Sequence, residues 1–470
     1  MERFFRLSAN QTSVRTEMLA GVTTFLTMAY IIFIQPAVLS GKMFGAETGM
    51  DFGSVTTATC LSAALATAIM AVYARYPIAQ APGMGENFFF VFSAIPGAAA
   101  AGFSNSWQVA LGVVFVSGVF FLILSLIGLR KLIFNSVSPS MKNGIAAGIG
   151  LFIAFIGLQQ AGVIIKDPGT AVKLNTHFSS PDLIVFFIGL LTTAVLHARR
   201  VRGSILWGIV VATVLTCLGK IALPQLPSVI SASREVTSSM LMTRFEFARS
   251  VVAAPPSLGP TFLHMDVVHA LSATMLPFVF VFLFMLTFDA IGTLIGVCEQ
   301  AGFMRDNRLP RAKQAMVSDA IGTVAGAALG TSTVTSFIES AAGVEQGGRT
   351  GLTGLVVAVL FLLALFFSPL IAMVGSYPPI TAPALTIVGA MMMQNVSKID
   401  WKDYTESIPA FLIIIGIPLS YSIADGLALG FISYPIVKAC SGRGREISWL
   451  TYLLALVLLL YFVLVRSQMG

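Results

Sequence analysis

The sequence contains few charged residues. Only 10% of its 470 residues are Asp, Glu, Lys or Arg, whereas a soluble domain carries about 25%. Hydrophobic residues make up 56% of the chain, and its mean hydropathy is +0.88. This composition excludes an ordinary soluble domain and predicts a protein that crosses the membrane many times.

Cysteine and histidine are also scarce, with four of each. The cysteines lie far apart in apolar surroundings, so neither a metal site nor a disulfide framework is expected. The histidines fall in or near predicted loops, which argues against a histidine proton relay inside the membrane. The sequence lacks His-Glu-x-x-His, Asp-Asp-x-x-Asp and Gly-x-Ser-x-Gly, so a membrane-embedded enzyme is disfavoured.

Lys and Arg are missing from the interior of every predicted span. A bound sulfate or dicarboxylate would therefore find no counter-charge on a side chain. The net charge of +7 comes from residues in short loops, where such charges orient membrane proteins, so no nucleic-acid partner is expected. The residues before position 17 are polar and basic, and we expect no cleaved signal peptide.

Long apolar runs are abundant. Many cover roughly 17–25 residues, enough to cross a hydrocarbon core about 30 Å thick. The predicted spans are 17–39, 55–73, 78–95, 107–129, 143–165, 182–198 and 203–223, then 266–297, 314–329, 331–346, 351–374, 381–396, 407–421 and 423–440. A polar connection, 224–264, divides the two sets, and a further apolar run of open topology covers 448–465.

The charges of the loops support this count. With a cytoplasmic N-terminus, most of the 28 Lys and Arg residues fall on the cytoplasmic side, as the positive-inside rule requires. Each half then has seven spans, and an odd number makes the two halves inverted relative to each other.

Two of these spans are interrupted. Residues 80–90 read QAPGMGENFFF and residues 330–343 read GTSTVTSFIESAAG. Paired interruptions at corresponding places in two halves indicate the binding site of a transporter. Half-helices beginning near residues 87 and 336 would direct free N–H groups at one midplane pocket, and the Thr-Val-Thr-Ser run favours a short extended piece.

Acidic and amide side chains in these regions are the candidate site residues. A charge at bilayer depth costs about 2.5–3.5 kcal/mol, so Asp289 and Glu339 predict a functional site; the alternative is a buried acid paired with a distant base. Asn87 either binds substrate or satisfies free backbone groups. Glu86 either points into the site or pairs elsewhere. Thr27 either bonds to its own helix or lines the site.

Buried acids without basic neighbours favour a cation, or a neutral ligand rich in N–H donors. A carboxylate in a low dielectric can also take up a proton. Uptake of a nucleobase together with a proton combines these two kinds of chemistry.

Several motifs resemble one transporter family. They are residues 81–87 (APGMGEN), 288–294 (FDAIGTL) and 338–353 (IESAAGVEQGGRTGLT), with further agreement in 13–30 and 381–385. Together they resemble the AzgA-like purine permeases of the nucleobase/ascorbate (xanthine/uracil permease) superfamily. The resemblance extends over nearly the whole chain, and its third motif is long and specific.

The resemblance implies an all-α polytopic fold, a seven-plus-seven inverted repeat in the cell (inner) membrane. It implies a core domain (residues 1–135 and 265–376) and a gate domain (136–225 and 377–445). An extracytoplasmic loop (226–264) and an extra C-terminal apolar segment (446–470) complete the chain. Members usually form homodimers through the gate domain and move by an elevator-like mechanism.

The resemblance also implies a site. Its substrate positions correspond to Asn87, Asp289 and Glu339, the expected ligands are hypoxanthine, guanine and adenine, and the coupled ion is a proton carried by Glu339 or Asp289. No metal or other cofactor is expected. Further candidates for substrate contact are Glu86, Thr27 and Ser336, with Phe88 or Phe337 stacking on the base.

Three positions depart from the family pattern. Glu86 stands where an apolar residue is usual, Phe88 replaces a small one, and Thr293 occupies the place of a histidine in uracil-type relatives. A carrier of xanthine, uracil or another small solute on the same fold therefore remains an alternative, and saturable uptake would exclude a passive channel.

Overall fold

The computed structural model of the protein describes residues 2–127, 137–227, 231–301, 303, 310–460 and 462. Within these ranges, nine helices are long and apolar enough to cross a membrane. Of the other predicted spans, 314–329 forms an uninterrupted helix of 18 residues (Ala312–Leu329) that is less apolar, and the rest form shorter or interrupted helices.

The first half contains α1 (Val14–Met28), α2 (Ile31–Leu39), α3 (Phe52–Ile69), α4 (Met84–Phe89), α5 (Ile95–Ala100), α6 (Ser106–Ile127), α7 (Pro139–Gln160), α8 (Pro181–Ala198) and α9 (Ser204–Ala222). The second contains α10 (Leu276–Gln300), α11 (Ala312–Leu329), α12 (Ser340–Glu345), α13 (Gly351–Ala364), α14 (Ser368–Gly375), α15 (Pro378–Met392), α16 (Tyr404–Ser420), α17 (Ile423–Cys440) and α18 (Trp449–Leu460). The strands are β1 (Gln80–Pro82), β2 (Ile164–Asp167), β3 (Ala171–Leu174) and β4 (Val334–Ser336).

The two interrupted segments pair with each other as antiparallel strands. The register of β1 and β4 is Gln80↔Ser336, Ala81↔Thr335 and Pro82↔Val334. One further backbone hydrogen bond extends the pairing at each end, from Gly83 N to Thr333 O (3.1 Å) and from Phe337 N to Ala79 O (3.0 Å). Extended backbone inside a membrane protein requires such partners, and the two halves supply them to each other.

The strand pairing corrects the predicted starts of the half-helices. They begin at Met84 and Ser340, not near residues 87 and 336. Because Phe337 still donates to Ala79 as part of the extended segment, α12 begins four residues later than predicted. The span predicted from residue 266 also begins later, at Leu276, because Asp266 caps a separate turn at Val267–Ala270.

Equivalent threonines on two helices hold the strands. The Thr67 hydroxyl of α3 accepts from Gln80 N (2.8 Å) and donates to Gln80 O (3.0 Å). In the other half, the Thr323 hydroxyl of α11 accepts from Val334 N (3.3 Å) and donates to Val334 O (2.8 Å). The same device in both halves matches the repeated architecture.

The helices pack in two groups. The first bundle consists of α1–α6 and α10–α14, and it contains the strand pair. The second bundle consists of α7–α9 and α15–α17, with α18 against α17. Each bundle draws on both halves of the chain.

Glu17 connects two of the sequence motifs, residues 13–30 and residues 338–353. Its buried carboxylate accepts hydrogen bonds from Arg349 N (2.9 Å), Thr353 N (3.2 Å) and the Thr353 hydroxyl (2.6 Å). These donors lie at the start of α13, where a negative charge is stabilised by the helix dipole. The segment after α12 is thereby attached to α1.

Candidate functional site

Two acids of the first bundle keep part of their surface exposed. Asp289 on α10 is exposed, and Glu339, which precedes α12, is half-buried. Gly292 and Gly296 share the face of α10 with Asp289 because they lie three and seven residues further on. A Cβ atom on Gly296 would lie 3.2 Å from Ile338 Cδ1, so this face of α10 lies against the residues that precede α12.

A tyrosine orients Glu339. The Tyr30 hydroxyl, between α1 and α2, donates to Glu339 Oε1 over 2.8 Å. Thr27 donates to Thr24 O (2.7 Å) and reaches the backbone oxygen of Glu339 at 3.4 Å. Its hydroxyl thus bonds to its own helix, and its role as a substrate contact stays a prediction.

The strand pair positions Asp289. The Thr335 hydroxyl donates to Asp289 Oδ2 over 3.0 Å, and Thr335 pairs with Ala81 in the strand register. The location of this carboxylate therefore depends on both interrupted segments and on α10.

Glu86 lies close to Thr335. Its side chain is 3% exposed. A Cβ atom on Gly83 would meet Glu86 Oε2 at 2.4 Å and Thr335 Cγ2 at 3.0 Å, so both atoms lie at one end of the strand pair. Because the Thr335 hydroxyl donates to Asp289, Glu86 and Asp289 lie near the same threonine. The structure therefore brings Glu86 to the site, next to Asp289.

Asn87 belongs to a buried group of amides and hydroxyls, the Gln35 cluster (Gln35, Asn87, Thr331 and Ser332). Gln35 Nε2 donates to Asn87 Oδ1 (3.1 Å) and to the Thr331 hydroxyl (2.9 Å). Asn87 Nδ2 donates back to Gln35 Oε1, and the Ser332 hydroxyl donates to Asn87 Oδ1. In this conformation the Asn87 amide holds the two interrupted segments to α2, and its contact with substrate stays a prediction.

A second buried group, the Asp319 cluster (Asp319, Gln80 and Ser336), lies at the other end of the strands. Asp319 on α11 accepts from the Ser336 hydroxyl (2.8 Å) and from Gln80 Nε2. Because Gln80 and Ser336 are register partners, this carboxylate bridges both strands. The predicted site residue Ser336 therefore directs its hydroxyl at Asp319.

The two candidate aromatic residues are buried. Phe88 has no exposed surface and packs among Phe44, Phe92 and Phe152, with ring centroids 6.2–6.3 Å away. Phe152 belongs to α7, so this aromatic cluster lies between the two bundles. Phe337 is 6% exposed. Stacking of either ring on a base stays a prediction.

Sequence reasoning missed several residues of this region. Asp319 carries the same signal as Asp289, a charge within a span, and Gln35 is an amide inside the otherwise apolar α2. Tyr30 and Thr335 carry no comparable signal, because their importance depends on which acid each one meets.

The site offers hydrogen-bond acceptors without a counter-charge. In the part of the chain that the structure describes, no ion pair joins Glu86, Asp289, Asp319 or Glu339 to a basic residue. Over the same residues, no group of three or more His, Cys, Asp or Glu could hold a metal ion. Such an arrangement suits a ligand that donates N–H groups.

Comparison with known proteins gives consistent results. The model of the permease family that includes xanthine and uracil permeases matches residues 15–429. The guanine/hypoxanthine permease PbuG of Bacillus subtilis is 41% identical over 473 residues, covering 99% of this chain and 100% of that protein. The adenine permease AdeP of Escherichia coli is 38% identical over 470 residues, covering 100% and 97%.

A solved structure has the same fold. The transmembrane domain of a cyanobacterium bicarbonate transporter, BicA, superposes with a TM-score of 0.58, covering 88% of this chain and 97% of that one. The two sequences are 15% identical, so the likeness concerns the fold, a transporter with two inverted halves of seven segments.

Proposed function

The chain belongs to the xanthine/uracil permease family, and from that membership we propose that it carries purine nucleobases into the cell together with protons. Family membership makes it a multi-span membrane permease for nucleobases and not an enzyme. The names of its relatives, guanine/hypoxanthine and adenine permeases, favour purines over xanthine or uracil.

One observation supports the purine proposal above all. Asp289 and Glu339 are accessible acids that each accept a hydrogen bond from a neighbouring hydroxyl. Purines present ring N–H groups, and guanine and adenine add an exocyclic amine. Carboxylate oxygens of Glu339 and Asp289 would accept from these groups, and charge-assisted hydrogen bonds of this kind are the strong ones.

The same two acids are the proposed proton carriers. A charge on Asp289 or Glu339 is costly within the membrane, and a bound proton removes it. No resident metal or organic cofactor is part of this proposal; the proton gradient would supply the energy. Glu86, adjacent to Asp289, gives this chain one more acid that can share the proton.

The proposed movement is elevator-like. The first bundle, with the site, would move relative to the second bundle, through which two copies of the chain would dimerise in the inner membrane, with a cytoplasmic N-terminus. Asn87, Phe88 and Phe337 are buried in this conformation, so their contact with a base requires the Gln35 cluster or the aromatic cluster to open during that movement. Ser336 and Thr27 would act by holding the backbone of the site in position.

The first test is uptake of labelled hypoxanthine, guanine and adenine by cells that lack their own purine carriers. Glu339→Gln, at matched membrane abundance, is expected to reduce uptake about 10- to 100-fold, because a hydrogen bond to a charged group contributes about 1.5–3 kcal/mol. Glu345→Gln is the matched control, since Glu345 is an exposed residue at the end of the same short helix, and it should leave uptake unchanged.

The outcomes separate the parts of the proposal. Wild-type uptake of none of the three bases would contradict the purine assignment, and competition by xanthine or uracil alone would favour the alternative. Uptake that is insensitive to pH and to an uncoupler would contradict proton coupling.

A further inference from the structure

The long connecting loop between α9 and α10 joins the two bundles. The structure describes its residues 223–227 and 231–275. The earlier part of this stretch bonds to the second bundle and the later part to the first, through separate sets of hydrogen bonds.

Asp182, at the start of α8, organises the earlier part. Its carboxylate is 7% exposed. It accepts from Met240 N (2.8 Å), Leu241 N (3.0 Å) and the Tyr377 hydroxyl (2.6 Å). Tyr377 immediately precedes α15, so this buried acid holds the loop to two segments of the second bundle and takes no part in the candidate site.

The structure held by Asp182 is a single helical turn, Met240–Thr243. One turn is unstable in isolation, because nucleation costs more than its few hydrogen bonds return. Lys220 of α9 donates from Nζ to Leu241 O and Met242 O, both at 2.9 Å. The turn therefore has a carboxylate at its N–H end and an ammonium at its carbonyl end, the arrangement that its dipole favours.

A further contact secures this part of the loop. The Ser179 hydroxyl, just before α8, donates to Glu235 over 2.6 Å, and this hydrogen bond lowers the pKa of the Glu235 carboxyl. In addition, Arg244 reaches Gly45 of the first bundle through its flexible guanidinium, a contact that can release without breaking a backbone hydrogen bond.

The later part bonds to the first bundle. The hydroxyls of Ser54 and Thr57 on α3 donate to Ser257 O (2.8 Å) and Pro256 O (2.9 Å). Leu263 N donates to Ala328 O of α11 over 2.8 Å. Two hydroxyl-to-carbonyl hydrogen bonds and one backbone hydrogen bond therefore attach this part to the first bundle.

Residues 246–252 connect the two attached parts; we call them the link. They have no regular secondary structure and are mostly exposed. Fully extended, seven residues reach about 23–25 Å. The link is therefore the part of the loop that can change its span at least cost.

We propose that Asp182 is a positioning residue that fixes the earlier part of the loop to the second bundle, so that within this loop the link accommodates displacement between the bundles during transport. The inference rests on the proposed movement of the first bundle. Losing Asp182 would free the earlier part of the loop and loosen the junction at Tyr377, while the site itself stays intact.

Trypsin digestion of the purified full-length protein tests the attachment without any transport measurement. Arg234, Arg244 and Arg249 lie along the loop and are all exposed. Wild type should be cleaved first at Arg249, in the link, because local unfolding is easiest there. Asp182→Ala should speed cleavage at Arg234 and Arg244 by about tenfold or more, the factor that 1.4 kcal/mol represents, and Asp182→Glu should restore protection in part. An unchanged pattern in Asp182→Ala overturns the proposal.

Link length tests the mechanical role. Deleting residues 249–251 shortens the extended link by about 10 Å, and the maximal uptake rate should fall at least tenfold while KM for the base is unchanged. The matched control inserts three residues, Gly-Ser-Gly, at the same place and should leave the rate near wild type. Full uptake with the shortened link overturns the role of the link. Absence of uptake in wild type would instead contradict the proposed function and leave the trypsin result standing.

Discussion

Asp289 and Asp319 lie on successive helices, and each accepts a hydrogen bond from β4. The Thr335 hydroxyl donates to Asp289 and the next residue, Ser336, donates to Asp319. Consecutive side chains of a strand point to opposite faces, so one strand directs its two hydroxyls at two acids on opposite sides. Asp289 is exposed, whereas Asp319 is 1% exposed.

The difference in exposure between Asp289 and Asp319 shows that one strand can contact two acids with different roles. Asp319 also accepts from Gln80 of β1, and its surroundings leave no room for a solute. We infer that Asp319 holds the strands together and that Asp289 is available for ligand or proton. Both acids lie within predicted spans, so the sequence pattern alone predicts the same role for each. Only their environments in the structure distinguish them.

The largest expected contrast comes from replacing each acid with leucine. Asp289→Leu should abolish uptake and change thermal stability in detergent little, because the side chain is exposed. Asp319→Leu removes the carboxylate that accepts from two buried donors, Gln80 Nε2 and the Ser336 hydroxyl, and leaves the 3.4 Å hydrogen bond from Gln80 Nε2 to Ser336 Oγ. A buried donor left unsatisfied costs about 1–3 kcal/mol. Asp319→Leu should therefore lower the melting temperature and the folded yield. Equal loss of stability in both variants, measured by thermal denaturation of purified protein, would remove the distinction.

A smaller contrast comes from the two hydroxyls. Thr335→Val keeps the shape of the side chain and removes the donor to Asp289, and we expect KM for the base to rise about tenfold, equivalent to 1.4 kcal/mol. Ser336→Ala should leave KM unchanged and reduce stability by about 1–2 kcal/mol, within the range for a lost hydrogen bond to a charged group. Uptake kinetics and denaturation of both variants test this pair, and a reversal of the two effects would contradict the assignment of faces.

The smallest effect is expected at the other accessible acid. Tyr30→Phe removes the hydroxyl that donates to Glu339. Because Glu339 is half-buried, water can replace the lost donor at little cost, so KM should rise only a few-fold. Competition assays with unlabelled hypoxanthine measure this change. A loss as large as that of Glu339→Gln would mean that Tyr30 itself contacts the base.

Much of the architecture is predictable because membranes impose strict lengths. Runs such as 423–440 and 182–198 were predicted to within a residue of the helices that form. The interrupted segments were also identifiable from their Gly, Pro and β-branched residues. The later helix start at Ser340 was not, because it depends on Phe337 donating to Ala79, a residue far away in the chain.

The candidate site was predictable in part. Asp289, Glu339 and Glu86 were found because charge is rare inside the predicted spans of a membrane protein. The enclosure of Asn87 by Gln35 and Ser332 has no local signal, since each partner comes from a different segment.

Composition, run length and motif positions were sufficient to establish the class of protein and the order of its spans, and charge within a span identified Asp289 and Glu339 as candidate site residues. Packing established how exposed each acid within a span is. Accessibility depends on which strand face a residue occupies and on partners such as Gln80 and Ser336, which are 256 positions apart. A linear pattern of residues specifies the cost of burying a charge, but the strand register and the surrounding helices determine whether that charge holds the fold together or faces a ligand.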